Sequence, residues 1–163
     1  MAINYPYRVF RYKVTIDGGW SRAAFSEVTG MNLSTQAVEY REGNDLRNTA
    51  RKLPGLTSFG NVTFRWGVTD DSGFLDWIKG VAPDNSATGP TGLVRHNITI
   101  TLLDDKTGAD GTSWTLLNAW PVSFSAPDLS GLGNEVAIAS LEVCCEGIWQ
   151  TKSAAAGPAG SPI

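Results

Sequence analysis

In three separate stretches of this chain, apolar residues recur at every second position, and that period suits only an extended backbone. In residues 8–16, Phe10, Tyr12, Val14 and Ile16 alternate with Arg11, Lys13 and Thr15. In residues 61–69, Val62, Phe64, Trp66 and Val68 alternate with Thr63, Arg65 and Gly67. In residues 95–103, Ile98, Ile100 and Leu102 alternate with Asn97, Thr99 and Thr101. A strand sends successive side chains to opposite faces, so each stretch reads as a strand with one face on a core. A helix would scatter the same residues around its girth.

Further strands follow with less regular phase. Residues 113–124 carry Trp114, Leu116, Trp120, Val122 and Phe124 on one side, with Pro121 on the other. A proline there removes a ladder donor, so an edge or a bulge is expected at that point. Between residues 135 and 148 the apolar positions change parity, from Val136 and Ile138 to Leu141, Val143 and Cys145. Either a bulge near Ala139–Ser140 swaps the faces, or both faces are buried at different points. Residues 23–29 and 33–40 form two shorter strands broken at Gly30. One helix is predicted after Asp70-Asp71-Ser72, which offers capping oxygens and negative charge; Phe74, Leu75 and Ile78 recur at helical spacing and Gly80 stops it. At about nine residues it must dock on the sheet, with Trp77 covering an open end or face. Residues 81–92 read as a loop.

The fold class is therefore mainly β: an antiparallel β-barrel or sandwich with one short flanking α-helix. Its 163 residues fit one domain with a sizeable core, residues 1–150, followed by a flexible Ala/Gly/Pro-containing tail, 151–163. A net charge of −3 is too small for nucleic-acid or membrane binding through a long-range field. No run of eighteen apolar residues marks a membrane helix, and MAINYPYRVFRYKV lacks a signal-peptide pattern, so synthesis and folding in the cytoplasm are expected.

The residues offer little chemistry. His96 is the single histidine, with the parity of Ile98, and reads as a structural group near a sheet edge. It is too few for a typical zinc site, and no G-x-S-x-G elbow supplies a nucleophile. Asp70-Asp71 and Asp104-Asp105 stand at element ends, the latter in a hairpin loop running to Gly108 that lacks a calcium-site register. Gly131-Leu132-Gly133 has no following lysine to make a phosphate loop. Cys144 and Cys145 are adjacent, point to opposite faces of a strand and cannot bridge each other; burial explains them. Of six tryptophans, Trp66, Trp114 and Trp120 have core parity, whereas Trp20 and Trp149 leave a carbohydrate-binding sandwich open as a distant alternative. No enzyme, metal or cofactor is expected.

The remaining feature is charged. Residues 39–52 pack seven ionic side chains into fourteen positions: Glu39, Arg41, Glu42, Asp45, Arg47, Arg51 and Lys52. They close on Leu53-Pro54-Gly55-Leu56, on a chain only 18% charged overall. Ordering such an excursion is expensive unless something holds it, and another protein surface is the natural holder. The alternative is a solvated hairpin with intramolecular pairs.

Here the sequence resembles the inner-tube proteins of contractile phage tails and contractile injection systems. The likeness runs through Glu39-Tyr40-Arg41-Glu42-Gly43, Arg51-Lys52-Leu53-Pro54-Gly55-Leu56 and Gly60-Asn61-Val62-Thr63. It continues through Asn118-Ala119-Trp120-Pro121, Asn134-Glu135-Val136-Ala137-Ile138 and Glu146-Gly147-Ile148, covering roughly residues 5–150. The resemblance implies a hexameric ring, rings stacked into a hollow tube, and a contractile sheath that drives the tube through a target envelope. It implies as partners further copies of the chain, the sheath, baseplate or spike, and terminator or cap proteins. The lumen would carry DNA, a tape-measure protein or effectors, with no membrane insertion by the subunit. Contacts between subunits and rings are expected at Glu39, Tyr40, Arg41, Glu42, Asp45, Arg47, Arg51, Lys52, Leu53, Pro54, Leu56, Asn134 and Glu135. Asn44 stands where a second glycine is frequent, and it too can take a left-handed conformation. A secreted type VI-like ring that chaperones effectors is the runner-up.

Overall fold

A computed structural model describes residues 9–17, 20–22, 25–68, 73, 76–78, 95–104, 107–151 and 161–162, with backbone alone for 20–22 and 161–162. Among these, eleven strands follow in order: β1 Tyr12–Ile16, β2 Trp20–Arg22, β3 Phe25–Thr29, β4 Leu33–Tyr40, β5 Arg51–Phe59, β6 Val62–Gly67, β7 His96–Leu103, β8 Asp110–Ser125, β9 Ile138–Cys144, β10 Gly147–Thr151 and β11 Ser161–Pro162. All their pairings are antiparallel. The main sheet runs β2-β1-β7-β8-β9-β6-β3, with β10 on β8 and β11 on β10. Among the described residues, strands β4 and β5 pair only with each other, as a separate ribbon.

The sixteen-residue β8 joins the two halves of this sheet. Its first part pairs with β7 and β10, and its last part, from Trp120, with β9. Strands that change partners in this way turn a sheet back over its own core through bulges. The bend lies at Asn118, the one non-glycine among the described residues with positive φ (48°). Across from it, Cys145 and Glu146 interrupt the partner strand between Trp120↔Cys144 and Leu117↔Gly147. Polar groups hold the bend: Asn118 N donates to Asn97 Oδ1 at 3.0 Å, Asn118 Nδ2 donates to Glu146 Oε2 at 3.0 Å, and Arg95 pairs with Glu146. Glu146 N donates to Leu117 O at 3.0 Å.

The core lies between the halves. Val14, Ile16, Ile98, Ile100, Leu116 and Ile148 meet Val62, Phe64, Trp66, Leu141 and Val143, all buried. The alternation thus holds where it was cleanest, and it fails where bulges intervene. Thr101 is buried against its expected parity and Leu102 only partly, because the β7–β8 register shifts between Thr101 and Leu103. Val122, expected inside, is half exposed, while Ala119 and Pro121 are buried. The Asn118 bend inverts the faces, and a second shift between Pro121 and Ser123 returns Phe124 to the core beside Trp66. A bulge at Pro121 is therefore present. Neither alternative for residues 135–148 holds, a bulge near Ala139–Ser140 or burial of both faces: the β6–β9 ladder is unbroken from Val62↔Val143 to Gly67↔Ile138. Val136 and Ile138 are instead exposed, Val136 lying before the strand begins.

Other expectations shift at their boundaries. Phe10 is exposed because β1 begins only at Tyr12, and Val68 because β6 ends at Gly67. Strands β3 and β4 follow one another but pair elsewhere, β3 with β6 and β4 with β5. Gly73 and residues 76–78 are helical, and Trp77 is buried with its ring edge-on to His96 at 5.3 Å. His96 therefore has a packing role at one end of the interior strand β7. The capping residues 70–72, Phe74, Leu75, Gly80 and the 81–92 loop lie outside the described residues. The Asp104–Gly108 turn closes by Gly108 N to Asp104 O at 2.9 Å, with Gly108 at φ 68°. Thr151 completes β10, and Ser161–Pro162 pair with Trp149 and Gln150; residues 152–160 of the tail lie outside the described set.

Two weak acids, buried Cys145 and partly buried Tyr12, respond to this packing. Burial, then the neighbouring Cys144, pushes the Cys145 thiol up, against a smaller opposing hydrogen bond from the Gly147 backbone. Burial, then the Glu27 charge, raises the Tyr12 hydroxyl, which donates to Phe25 O at 2.9 Å. Both groups hold their protons more tightly folded than unfolded. Their contribution to stability is present below the ordinary thiol and phenol range and is lost as pH climbs through the raised values. Urea midpoints should therefore be flat from about pH 7 to 8 and fall above about pH 9. A midpoint that rises there would contradict the assignment.

Candidate functional site

The charged excursion is an arm. Its strands pair from Leu33↔Phe59 at the base to Tyr40↔Arg51 at the outer end. The run Leu53-Pro54-Gly55-Leu56, despite its proline and glycine, forms the middle of β5. A register shift between Thr35 and Ala37 gives β5 one extra residue there. Proline and glycine suit such a bulge: one lacks a donor, the other lacks a side chain. A Cβ on Gly55 would sit 3.0 Å from both Gln36 O and Val38 Cγ2.

The base is tied to the body. Phe59 and Met31 pack against the core, and Gly60 N donates to Asn32 O at 3.1 Å. Gly30 turns the chain from β3 into the arm at φ 92°, and a Cβ on it would stand 2.3 Å from Asn61 O. Gly30→Ala should therefore lower stability by more than about 1 kcal/mol, read as a drop in the urea midpoint. An unchanged midpoint would show that the turn tolerates a side chain.

Beyond the base, both faces of the ribbon meet solvent. Val38 and Leu53 lie directly opposite each other, and with Tyr40 and Arg51 they share one face. All three apolar members are about half exposed, at 51%, 51% and 52%. Glu39 and Lys52 share the other face, their charges 3.9 Å apart. Leu56 is 80% exposed and Leu46, at the tip, fully so. Isolated two-stranded hairpins are marginal in water, so this arm carries apolar surface that the fold leaves uncovered.

The tip is organised from within. Arg41 donates from Nε to Arg47 O at 3.1 Å and from Nη2 to Asp45 O at 3.2 Å. Asp45 Oδ1 accepts from Arg47 N at 3.3 Å, and Asp45 Oδ2 lies 3.7 Å from Arg51 Nε. Tyr40 donates to Glu42 Oε1 at 3.3 Å. Arg41 and Asp45 thus shape the turn, and Asn44 does not use a left-handed conformation. The side chains of Arg51 and Lys52 are 71% and 72% exposed. Exposed pairs of this kind contribute about 0–1 kcal/mol each, too little to explain why so many charges gather here.

Asn134 and Glu135, both exposed, belong to a different element, the connection of residues 126–137 between β8 and β9. Val68 N anchors its end on Ala137 O at 2.9 Å. Sequence reasoning missed Leu129 and Leu132 as surface groups of this connection, 87% and 97% exposed, and read Val136, 74% exposed, as a strand residue. Leucines in a Gly/Ser-rich turn segment, matching neither strand nor helix period, were the signal.

Arm and connection both fall within a match to known proteins. A family profile described as T4-like virus tail tube protein gp19 matches residues 8–149. The chain belongs to this tail tube family. No curated protein sequence matches it. Among solved structures, it resembles a chain of an extracellular contractile injection system, titled PVC sheath–tube complex in extended state, at 25% identity and TM-score 0.77, covering 92% of this chain and 94% of that one. A chain titled PVC sheath/tube terminator in extended state gives 26% identity and TM-score 0.76, over 92% and 99%. Hcp1 from Flavobacterium johnsoniae shares the fold at 10% identity and TM-score 0.53, over 88% and 96%. A tail tube family favours a structural part over an enzyme. Nothing in the match favours the carbohydrate-binding alternative, and Trp149 is partly buried in β10. Among the described residues no helix is long and apolar enough to cross a membrane.

Proposed function

We propose that this tail tube family member is a non-catalytic subunit whose copies close six to a ring and stack, ring on ring, into a hollow conduit. A contractile sheath surrounds the conduit and drives it through a target envelope, delivering DNA or protein cargo. Baseplate or spike proteins begin the tube and a terminator or cap ends it. The observation that carries this reading is the β4–β5 arm, a ribbon with solvent on both faces, exposed Leu53 and Leu56, and a densely charged outer end. Such an arm costs ordering entropy in a monomer and is covered once a neighbouring copy lies against it.

The sheet supports closure within a ring. Among the described residues its strand order ends at β2 on one side and β3 on the other, and each pairs there on one side only. Joining such edges between copies removes the aggregation hazard of an open sheet. Contacts between rings fall to Glu39, Tyr40, Glu42, Arg47, Arg51 and Lys52, with Leu53, Pro54 and Leu56 as the apolar anchor. Arg41 and Asp45 hold the tip in shape for those contacts, and Asn134 and Glu135 contribute from the 126–137 connection. Native mass spectrometry should find a species six times the 17.4 kDa chain. A monomer at every accessible concentration would refute the ring.

A further inference from the structure

We propose that the groove along residues 126–138 receives the β4–β5 arm of a second copy, with Asp128 and Glu135 meeting Arg51 and Lys52. This rests on the tube reading and names the partner surface of the arm. The groove is open, about 420 Å³, and is lined by Leu129, Val136 and Ile138 together with Asp128 and Glu135. Leu132 stands exposed beside it. Single exposed apolar residues are ordinary, but several gathered along one groove mark a contact surface.

Charge selects the occupant. Residues 126–138 carry two acidic side chains and no basic one. The outer arm, residues 39–53, carries four basic and three acidic side chains. Asp45 and Glu39 lie 3.7 Å and 3.9 Å from Arg51 and Lys52, yet these two cations keep 71% and 72% of their side-chain surface in water, where a second copy can meet them. Arm and groove are therefore opposite in sign, and both bear exposed leucine or valine. Complementary charge sets register and encounter rate, while the apolar side chains supply adhesion as they leave water.

The two surfaces are different, so the contact is heterologous. Each copy offers one arm and one groove, and a contact of this kind repeats without closing on a pair. Axial stacking of rings is the arrangement in which such repetition builds a tube.

Charge exchange tests this. Asp128→Lys with Glu135→Lys should shorten tubes about tenfold or more while the ring mass is kept. Adding Arg51→Glu and Lys52→Glu to the same chain should restore length, since the pairs re-form with signs reversed. Wild-type tube length in the first variant, or no recovery in the second, overturns the pairing. Loss of rings in the wild-type protein would instead count against the tube reading itself. If the fourfold variant fails to fold, Leu53→Cys and Leu129→Cys proteins, purified separately and mixed, decide the matter. A disulfide-linked heterodimer that forms only in the mixture supports the contact, and its absence overturns it.

Discussion

Replacing Arg51 and Lys52 together by glutamate should yield a folded subunit whose rings no longer stack into long tubes. Within the chain these cations lie 3.7 Å from Asp45 and 3.9 Å from Glu39, with most of their side-chain surface in water. Losing both pairs should therefore change folding stability by no more than about 1 kcal/mol. Against an acidic surface on another copy the effect is much larger. Reversing one partner of a charge pair buried at an interface replaces attraction by repulsion and costs about 2–5 kcal/mol, a factor of roughly thirty or more in affinity. The two scales separate the roles. Circular dichroism melts should coincide with those of the unaltered protein, while sedimentation should show rings without long tubes. Melts that shift by many degrees, or tubes of normal length, would contradict an inter-ring role for these residues. Raised salt should mimic the substitution only in part, because charges buried in an interface are screened much less than exposed ones.

The second large effect lies in the core. Phe64 is 1% exposed at the centre of β6 and packs its ring against Phe25 at 5.5 Å. Trp66, two positions on, stands edge-on to the same Phe25 at 6.1 Å and tilted to Phe124 at 6.2 Å. Phe64→Ala should cost about 3–5 kcal/mol, from lost transfer energy and from the cavity left behind. For a chain of this size that corresponds to roughly 6–20 °C in Tm. Val38→Ala on the arm provides the contrast. At 51% exposed it should change monomer stability by about 0.5 kcal/mol or less. If Phe64→Ala proved as mild as Val38→Ala, the two halves of the sheet would not share the core described for them.

How much of this was legible beforehand follows from the physics of each element. The alternation in β1, β6 and β7 marks Val14, Ile16, Val62, Phe64, Trp66, Ile98 and Ile100 as core, and all are buried. There each strand pairs in register over the positions concerned, so parity maps directly to face. In β8 the same rule misassigns Val122, Ala119 and Pro121. An asparagine at φ 48° and a register shift invert the faces, and neither is written in the hydrophobic pattern. Pro121 was a usable marker, since a proline lacks the ladder donor and a bulge stands beside it. In β9 the parity change was visible, but its cause was not. The ladder is regular, and Val136 and Ile138 are exposed on a surface that the chain does not cover by itself.

The arm was legible as a charged excursion, and its residues form one element as expected. Its internal division of labour was not. Arg41 and Asp45 look like surface charges in sequence, yet their hydrogen bonds to nearby backbone groups shape the tip. Such bonds depend on the turn geometry, which no residue pattern between 41 and 50 announces. The groove at 126–138 is less legible: family likeness points to Asn134 and Glu135, whereas no pattern in the sequence points to Leu129 and Asp128. Composition marks that segment as a turn-rich connection and does not reveal which side chains gather along one groove.

Assembly into stacked rings is tested most directly by electron microscopy of the purified protein, with two-dimensional class averages of end-on and side views. The expected images are six-fold rings with an open centre, stacked at a constant axial repeat into hollow tubes whose length grows with protein concentration. A field of single globular particles at every concentration, or closed pairs with no axial repeat, would contradict it.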